Sequence, residues 1–205
     1  MRYGMLIDIE RCVGCAGCVM ACKRHNGTAR GVYWCDVIIK EEGTYPNVRK
    51  RMLPIGCQHC SNAPCVRACP TGASHYDNVG NVQVDFKKCI GCRMCMGACP
   101  YHARSFNWGS TLENPHYEGQ PVTVYDQVNA ERHPVGVVEK CVRCTDLVVQ
   151  GKKPACVQTC PAEARMFGDL DDPESDISRA IVSKKASRLM EEFGTEPSTY
   201  YVGLN

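Results

Sequence analysis

Sixteen of the seventeen cysteines fall into four groups of four, and nothing else in the 205 residues restricts the fold so tightly. The groups are Cys12-Cys15-Cys18-Cys22, Cys57-Cys60-Cys65-Cys69, Cys89-Cys92-Cys95-Cys99 and Cys141-Cys144-Cys156-Cys160. The third runs Cys-x2-Cys-x2-Cys-x3-Cys and is followed by Pro100; the first keeps that spacing, with Lys23 where the proline would stand. The second stretches one gap to four residues and ends in Pro70, and the fourth stretches the same gap to eleven and ends in Pro161. This is the spacing of iron–sulfur ligands. Sixteen such thiolates hold four [4Fe–4S] clusters, and the chain reads as an electron wire.

Two other uses of cysteine fit less well. A disulfide scaffold is normally short and secreted, whereas this chain is long and its cysteines are tightly bunched. Neighbours at x2 spacing present their sulfurs to one point, which suits a metal better than a crossing disulfide. Zinc sites use separated Cys-x2-Cys pairs, not three cysteines plus a fourth followed by proline.

Length allows one large domain or two small ones. With two Trp, four Phe and no long aliphatic stretch, a large hydrophobic core is not expected. The clusters would act as core, and the metal-free chain should be largely unfolded. The formal charge of +2 treats each cysteine as a neutral thiol; four clusters at about 2− each bring the protein near −6. Arg11, Lys23, Arg24, Lys87, Lys88, Arg93, Lys140 and Arg143 flank the motifs and together would offset that charge, although each taken singly reads as a solvated surface residue. No basic tract marks a nucleic-acid partner, and no stretch approaches the ~18 apolar residues of a membrane span. Residues Met1 to Ile9 read as a strand, leaving no room for a signal peptide or twin-arginine leader. The expectation is a chain made in the cytoplasm, and either kept there or exported with a leader-bearing partner.

The quartets form an internal repeat. Between the second and third, alternation around Asn78-Val79-Gly80-Asn81 reads as a β-hairpin, which makes residues 57–106 a ferredoxin-type module with two clusters. In such modules the last cysteine of each quartet crosses to the other cluster. That assigns Cys57, Cys60, Cys65 and Cys99 to one cluster and Cys89, Cys92, Cys95 and Cys69 to the next. Folding the first quartet onto the fourth gives a second module from residues 1–56 and 107–205. Its clusters take Cys12, Cys15, Cys18 and Cys160, and Cys141, Cys144, Cys156 and Cys22. Pairing first with second and third with fourth is the alternative. The fold class is α+β: two duplicated bacterial-ferredoxin-type dicluster modules with β-hairpins and peripheral loops. Trp34 to Lys40 and Arg49 to Ile55 read as strands around a Gly43–Asn47 turn, and 107–134 as an irregular excursion. Asp172 opens a helix running to about Phe193, with Ile177, Ile181, Leu189 and Phe193 as its apolar face, and Thr199 to Leu204 reads as a last strand.

The motifs Cys12-Val-Gly-Cys-Ala-Gly-Cys18, Cys57-Gln-His-Cys60, Cys69-Pro-Thr-Gly-Ala73, Cys89-Ile-Gly-Cys-Arg-Met-Cys-Met96, Glu139-Lys-Cys-Val-Arg-Cys144 and Gly168-Asp-Leu-Asp-Asp-Pro173 resemble those of a known family. It is the iron–sulfur (beta) subunits of molybdopterin oxidoreductases of the dimethyl sulfoxide reductase, polysulfide reductase and arsenate reductase type. The resemblance covers nearly the whole chain and supports the nested pairing. It implies a non-catalytic electron-transfer subunit of an anaerobic respiratory complex, with a molybdopterin-containing catalytic partner and often a membrane quinone subunit. Some relatives carry tryptophan at the second position of the third quartet and hold a [3Fe–4S] cluster; Cys92 stands there in this chain, so four [4Fe–4S] centres are expected. His102 replaces the glycine of the usual Cys-Pro-Tyr-Gly, which touches only the local turn. Cys35 has no motif and reads as a buried free thiol; His59 reads as a packing or hydrogen-bonding residue. No nucleophile–base constellation is visible. A free-standing polyferredoxin is the rival reading.

Overall fold

The computed structural model describes residues 1–108, 119–121 and 123–204, so residues 109–118 and 122 of the expected 107–134 excursion lie outside the described residues. The strands are β1 (Tyr3–Asp8), β2 (Cys35–Glu42), β3 (Arg49–Gly56), β4 (Ser74–Tyr76), β5 (Val82–Val84), β6 (Ser105–Phe106), β7 (Val138–Glu139), β8 (Arg165–Asp169), β9 (Ser187–Arg188) and β10 (Thr199–Val202). The helices are α1 (Gly17–Asn26), α2 (Pro64–Arg67), α3 (Met94–Gly97), α4 (Val124–Asn129), α5 (Thr145–Val149), α6 (Ala155–Gln158) and α7 (Asp176–Ser183). Small sheets and short helices make this a mixed α/β fold. No helix among the described residues is long and apolar enough to cross a membrane.

One four-stranded sheet, in the order β8-β1-β10-β9, ties the two ends of the chain together. β1 runs parallel to β10, with Met5 opposite Thr199 and Asp8 opposite Val202, and antiparallel to β8, with Ile7 opposite Arg165. The first quartet begins four residues after β1 and the fourth ends five residues before β8, so pairing these strands brings both quartets to one end of the sheet. Alternation along β1 sorts its side chains by face. Met5 and Ile7 join Tyr201 on one side, and Leu6 joins Val202 and Ile177 of α7 on the other. The remaining sheets are hairpins β2–β3 and β4–β5 and the short pair β6–β7.

The buried apolar residues fall into several small groups, and the two nearest the quartets are partly made of cysteine. One contains Cys60, Cys65, Cys95 and Cys99 with Ala63, Val82, Tyr101 and Val138. Another contains Cys18, Cys22 and Cys35 with Val19, Val32 and Trp34.

The C-terminal helix is shorter than expected. α7 starts at the Ser175 cap, whose Oγ accepts the Ser178 N–H, and ends at Ser183. Lys185 then adopts φ +50° and the Ala186 N–H closes on the Ile181 carbonyl, the left-handed stop that ends many helices. Ile177 and Ile181 do pack inward, but Leu189 reaches the cysteine-bearing groups and Phe193 is exposed. Four apolar residues at helical spacing therefore serve different surfaces, because the chain turns back to form β9.

Candidate metal centres

Cys12, Cys15, Cys18 and Cys160 line one cavity, with Pro161 and Arg165. Cys22, Cys141, Cys144 and Cys156 line a second, together with Cys35 and Cys57, against Met5, Ile7 and Tyr201 of the sheet. Cys69, Cys89, Cys92 and Cys95 line a third. Cys57, Cys60, Cys65 and Cys99 form a fourth group, close enough that their charges act on one another. With Cys57 counted in the fourth group, which it joins to the second cavity, and Cys35 outside every quartet, each group takes three cysteines from one quartet and one from another. The rings are open: among the described residues no three Cys, His, Asp or Glu converge closely enough for a single ion.

Helix geometry accounts for the exchange. Cys18 and Cys22 both lie on α1, four residues apart and so on one face, separated by about 6 Å along the axis. One sulfur enters each of two adjacent cavities. The single turns α2, α3 and α6 carry Cys65, Cys95 and Cys156, with Cys69, Cys99 and Cys160 two residues past their ends, and α1 packs on α6 as α2 packs on α3. Loops between ligands use left-handed residues: Gly14 (φ +70°) and Ala16 (+56°) in the first quartet, Gly91 (+70°) and Arg93 (+62°) in the third. Such turns direct successive N–H groups at an anion. After the last cysteine, Gly72 (φ +66°), His102 (+49°) and Glu163 (+48°) occupy the same left-handed place. Each donates its N–H to the cysteine carbonyl, at 3.3, 3.3 and 3.2 Å, so the His102 departure leaves the turn intact. Backbone N–H groups also reach sulfur: Ser74 to Cys69 at 3.4 Å, Arg143 to Cys141 at 3.4 Å and Ala164 to Cys160 at 3.3 Å.

Electrostatics test whether these residues suit a thiolate-bound cluster. Burial, reinforced by neighbouring thiols, pushes Cys60 and Cys144 up to about 12 and Cys156 to about 11. Without a cation these thiols stay protonated at neutral pH; a bound metal makes them thiolates and releases the protons. The surrounding side chains carry the opposite need. Arg104, Lys140, Arg143 and Arg165 are buried, and no carboxylate of the described residues forms an ion pair with any of them. A buried cation without an anion is strongly unfavourable. Arg104 Nη2 and both ring nitrogens of His59 are also buried without a hydrogen-bond partner among the described residues. Anionic clusters with sulfur acceptors fit both observations.

Lys140 and Arg143 therefore depart from the surface role read from sequence. Lys140 donates to the carbonyls of Val82 and Cys141, and Arg143 to the Tyr3 carbonyl and, at 2.9 Å, to Ser198 Oγ. His59 is fully packed; burial first, then Lys140, Arg143 and Arg104, holds its pKa well below the usual range and keeps the ring neutral. Cys35 is buried and accepts a hydrogen bond from Arg165 Nη2 at 3.3 Å. Its replacement by alanine is expected to leave the iron content unchanged; loss of about four irons per chain in metal analysis would instead make it a ligand. Sequence reasoning passed over Arg104 and Arg165. Their signal was present: each follows the last cysteine of its quartet by five residues, in Cys-Pro-x-x-Ala-Arg.

Comparison with known proteins identifies the constellation. The 4Fe-4S dicluster domain family matches residues 48–115 and 118–170, and a 4Fe-4S binding domain family matches residues 9–32. The chain is 44% identical to a Halobacterium salinarum protein named as a dimethyl sulfoxide reductase iron-sulfur subunit, over 98% of this chain and 79% of the relative. It is 40% identical to the arsenate respiratory reductase iron-sulfur subunit ArrB of a Shewanella species, over 98% and 96%. It is 42% identical to a selenate reductase subunit of Mesobacillus selenatarsenatis, over 98% and 72%. The chain belongs to this family of 4Fe-4S dicluster iron–sulfur subunits, and is an electron-transfer subunit of an oxidoreductase complex rather than its catalytic chain.

Proposed function

We propose that the chain holds four [4Fe–4S] clusters in two nested ferredoxin-type modules, residues 57–106 inserted between 1–56 and 107–205. It would relay electrons between a molybdopterin catalytic subunit and a membrane quinone subunit or soluble carrier. A thiolate-bound [4Fe–4S] centre supplies reversible one-electron reduction. The observation that carries the reading is the four-by-four grouping of thiols with exchanged last cysteines. Mutual charge effects give the groups an order. Cys95 is influenced by Cys65, Cys141 by Cys57, and Cys156 by Cys18. That order is a row, with the Cys69/89/92/95 group at one end and the Cys12/15/18/160 group at the other. Cys92 and Cys15, one in each end group, are exposed, which favours those ends as points of electron entry and exit.

The rival, a diffusible polyferredoxin, is disfavoured because the relatives are named as subunits of reductases. Those names differ in substrate, so substrate choice rests with the catalytic partner. Anaerobic purification from the native host should recover a molybdenum- or tungsten-pterin protein in stoichiometric amount, with about 16 irons on this chain. The same iron without a partner would favour the polyferredoxin. Electron paramagnetic resonance tests the ligand sets: Cys22→Ser and Cys141→Ser should perturb one common centre, and Cys12→Ser a different one. If Cys22→Ser and Cys12→Ser perturbed the same centre, the exchange would be wrong.

A further inference from the structure

The third and fourth quartets end alike, in Cys99-Pro-Tyr-His-Ala-Arg104 and Cys160-Pro-Ala-Glu-Ala-Arg165. Both arginines begin or precede a strand and both are buried, at 6% and 8% exposure. Among the described residues the hydrogen-bond acceptors of the Arg165 side chain are sulfurs: Nη2 donates to Cys18 at 3.5 Å and to Cys35 at 3.3 Å, and Nη1 to Met5 Sδ at 3.5 Å. Its side chain lines both the Cys12/15/18/160 cavity and the Cys22/141/144/156 cavity. The wall between those two cavities thus carries a fixed positive charge.

Arg104 occupies the matching place in the other module. Nη1 donates to Ser74 Oγ at 3.0 Å, and Ser74 itself stands five residues after Cys69. Nη2 completes no hydrogen bond among the described residues. The thiols acting on its charge are Cys65 and Cys57 from one group and Cys95 from the other. Of these, Cys65 has the largest effect on the Arg104 charge. Cys18 and Cys65 are each the third cysteine of their quartets. The two arginines are therefore equivalent under the duplication, each between the two groups of one module.

We propose that Arg104 and Arg165 are the potential-setting cations of this chain, each lodged between the two clusters of one module, Arg165 donating to the Cys18 sulfur and Arg104 holding a buried Nη2 donor in reserve for its own pair. A cluster gains negative charge on reduction, and a buried cation favours the more negative state far more than the same cation would in water. Hydrogen bonds to sulfur act in the same direction. Because each guanidinium faces two groups, it raises both potentials together and keeps the step between them small. Arginine suits this place better than lysine, since its fork donates in several directions at once and holds its charge when buried. Cys35 is a further sulfur partner of Arg165, so the two modules share the cation without having identical surroundings.

The inference rests on the four-cluster reading, and the test separates the two. Potentiometric titration of the intact holo-protein, followed by electron paramagnetic resonance, would compare wild type with Arg165→Gln, Arg165→Lys, Arg104→Gln and Arg104→Lys. The Gln variants should make the centres of their own module about tenfold harder to reduce, 59 mV for one electron, and leave the other module's centres in place. The Lys variants should shift in the same direction by less. Full iron with unchanged potentials in the Gln variants would overturn the proposal. Should the Gln variants lose iron, wild-type protein carrying guanidino-15N arginine decides: nitrogen coupling to the reduced centres, weakened in the Lys variants, is the expected result, and its absence overturns the proposal. Iron well below about 16 per wild-type chain would instead defeat the four-cluster reading itself.

Discussion

Anaerobic chelation of iron is expected to unfold the chain, not merely bleach it. Ligand cysteines supply four of the eight buried residues in one apolar group and, beside Cys35, two of the six in another, so the ligands are also part of the core. Arg104, Lys140, Arg143 and Arg165 would then be left buried without an anion. Stripping the partner from a buried charge costs about 3–5 kcal/mol, and four such sites rival the whole ~5–15 kcal/mol by which a domain is stable. Circular dichroism and amide exchange check this. The iron-free chain should show no cooperative thermal transition and no slow amides in β1 or β10. Retention of both would mean that the four-stranded sheet folds without its metals.

The second large effect is expected from a single methyl group. Gly91 has φ +70°, and a Cβ there would stand 2.2 Å from the Gly136 carbonyl oxygen and 3.3 Å from Phe106 Cε2. Gly136 is not free to retreat, because its N–H is bonded to the Asn107 carbonyl at 2.8 Å beside the β6–β7 pair. Left-handed strain of about 1–2 kcal/mol and an overpacking cost of about 1–3 kcal/mol then fall on the loop between Cys89 and Cys92. Gly91→Ala should lose the centre at Cys69, Cys89, Cys92 and Cys95, read as about four fewer irons, with a lower melting temperature. Gly72 provides the control: its φ is +66° but nothing lies within 4 Å of the added carbon. Gly72→Ala should keep its iron. Equal behaviour of the two variants would show that the close approach to Gly136 is unimportant.

Ligand spacing is local, and much that depends on it was legible in the chain. The hairpin around Asn78–Asn81, the β2–β3 pair, the entry strand β1 and the last strand β10 all follow from alternation and turn residues close in sequence. Burial of charge was not legible in the same way. Lys140 and Arg143 sit beside cysteines as Lys87 and Lys88 do, and only tertiary packing of β5, the N-terminal strand and residues 198–199 encloses the first pair. The stop of α7 at Ser183 was missed because Leu189 and Phe193 continue the helical period by coincidence, while a left-handed Lys185 has no strong residue signal. The two arginines lay in plain view as a repeat, but a cationic side chain five residues from a ligand looks like surface until its cavity is known.

The parallel pairing of β1 with β10 also bears on the order of events at the ribosome. All eight cysteines of the proposed inserted module, residues 57–106, have been synthesised by residue 99. The proposed flanking module waits for Cys141, Cys144, Cys156 and Cys160, and β10, which lines its cavity, is among the last residues made. For the time taken to translate the roughly 140 residues from Cys22 to Cys160 (~7–28 s at typical rates), Cys12, Cys15, Cys18 and Cys22 lack their full set of fourth-quartet partners. If the chain is built of the two proposed modules, iron delivered to the nascent protein meets a complete inserted set of cysteines while the flanking set is still incomplete.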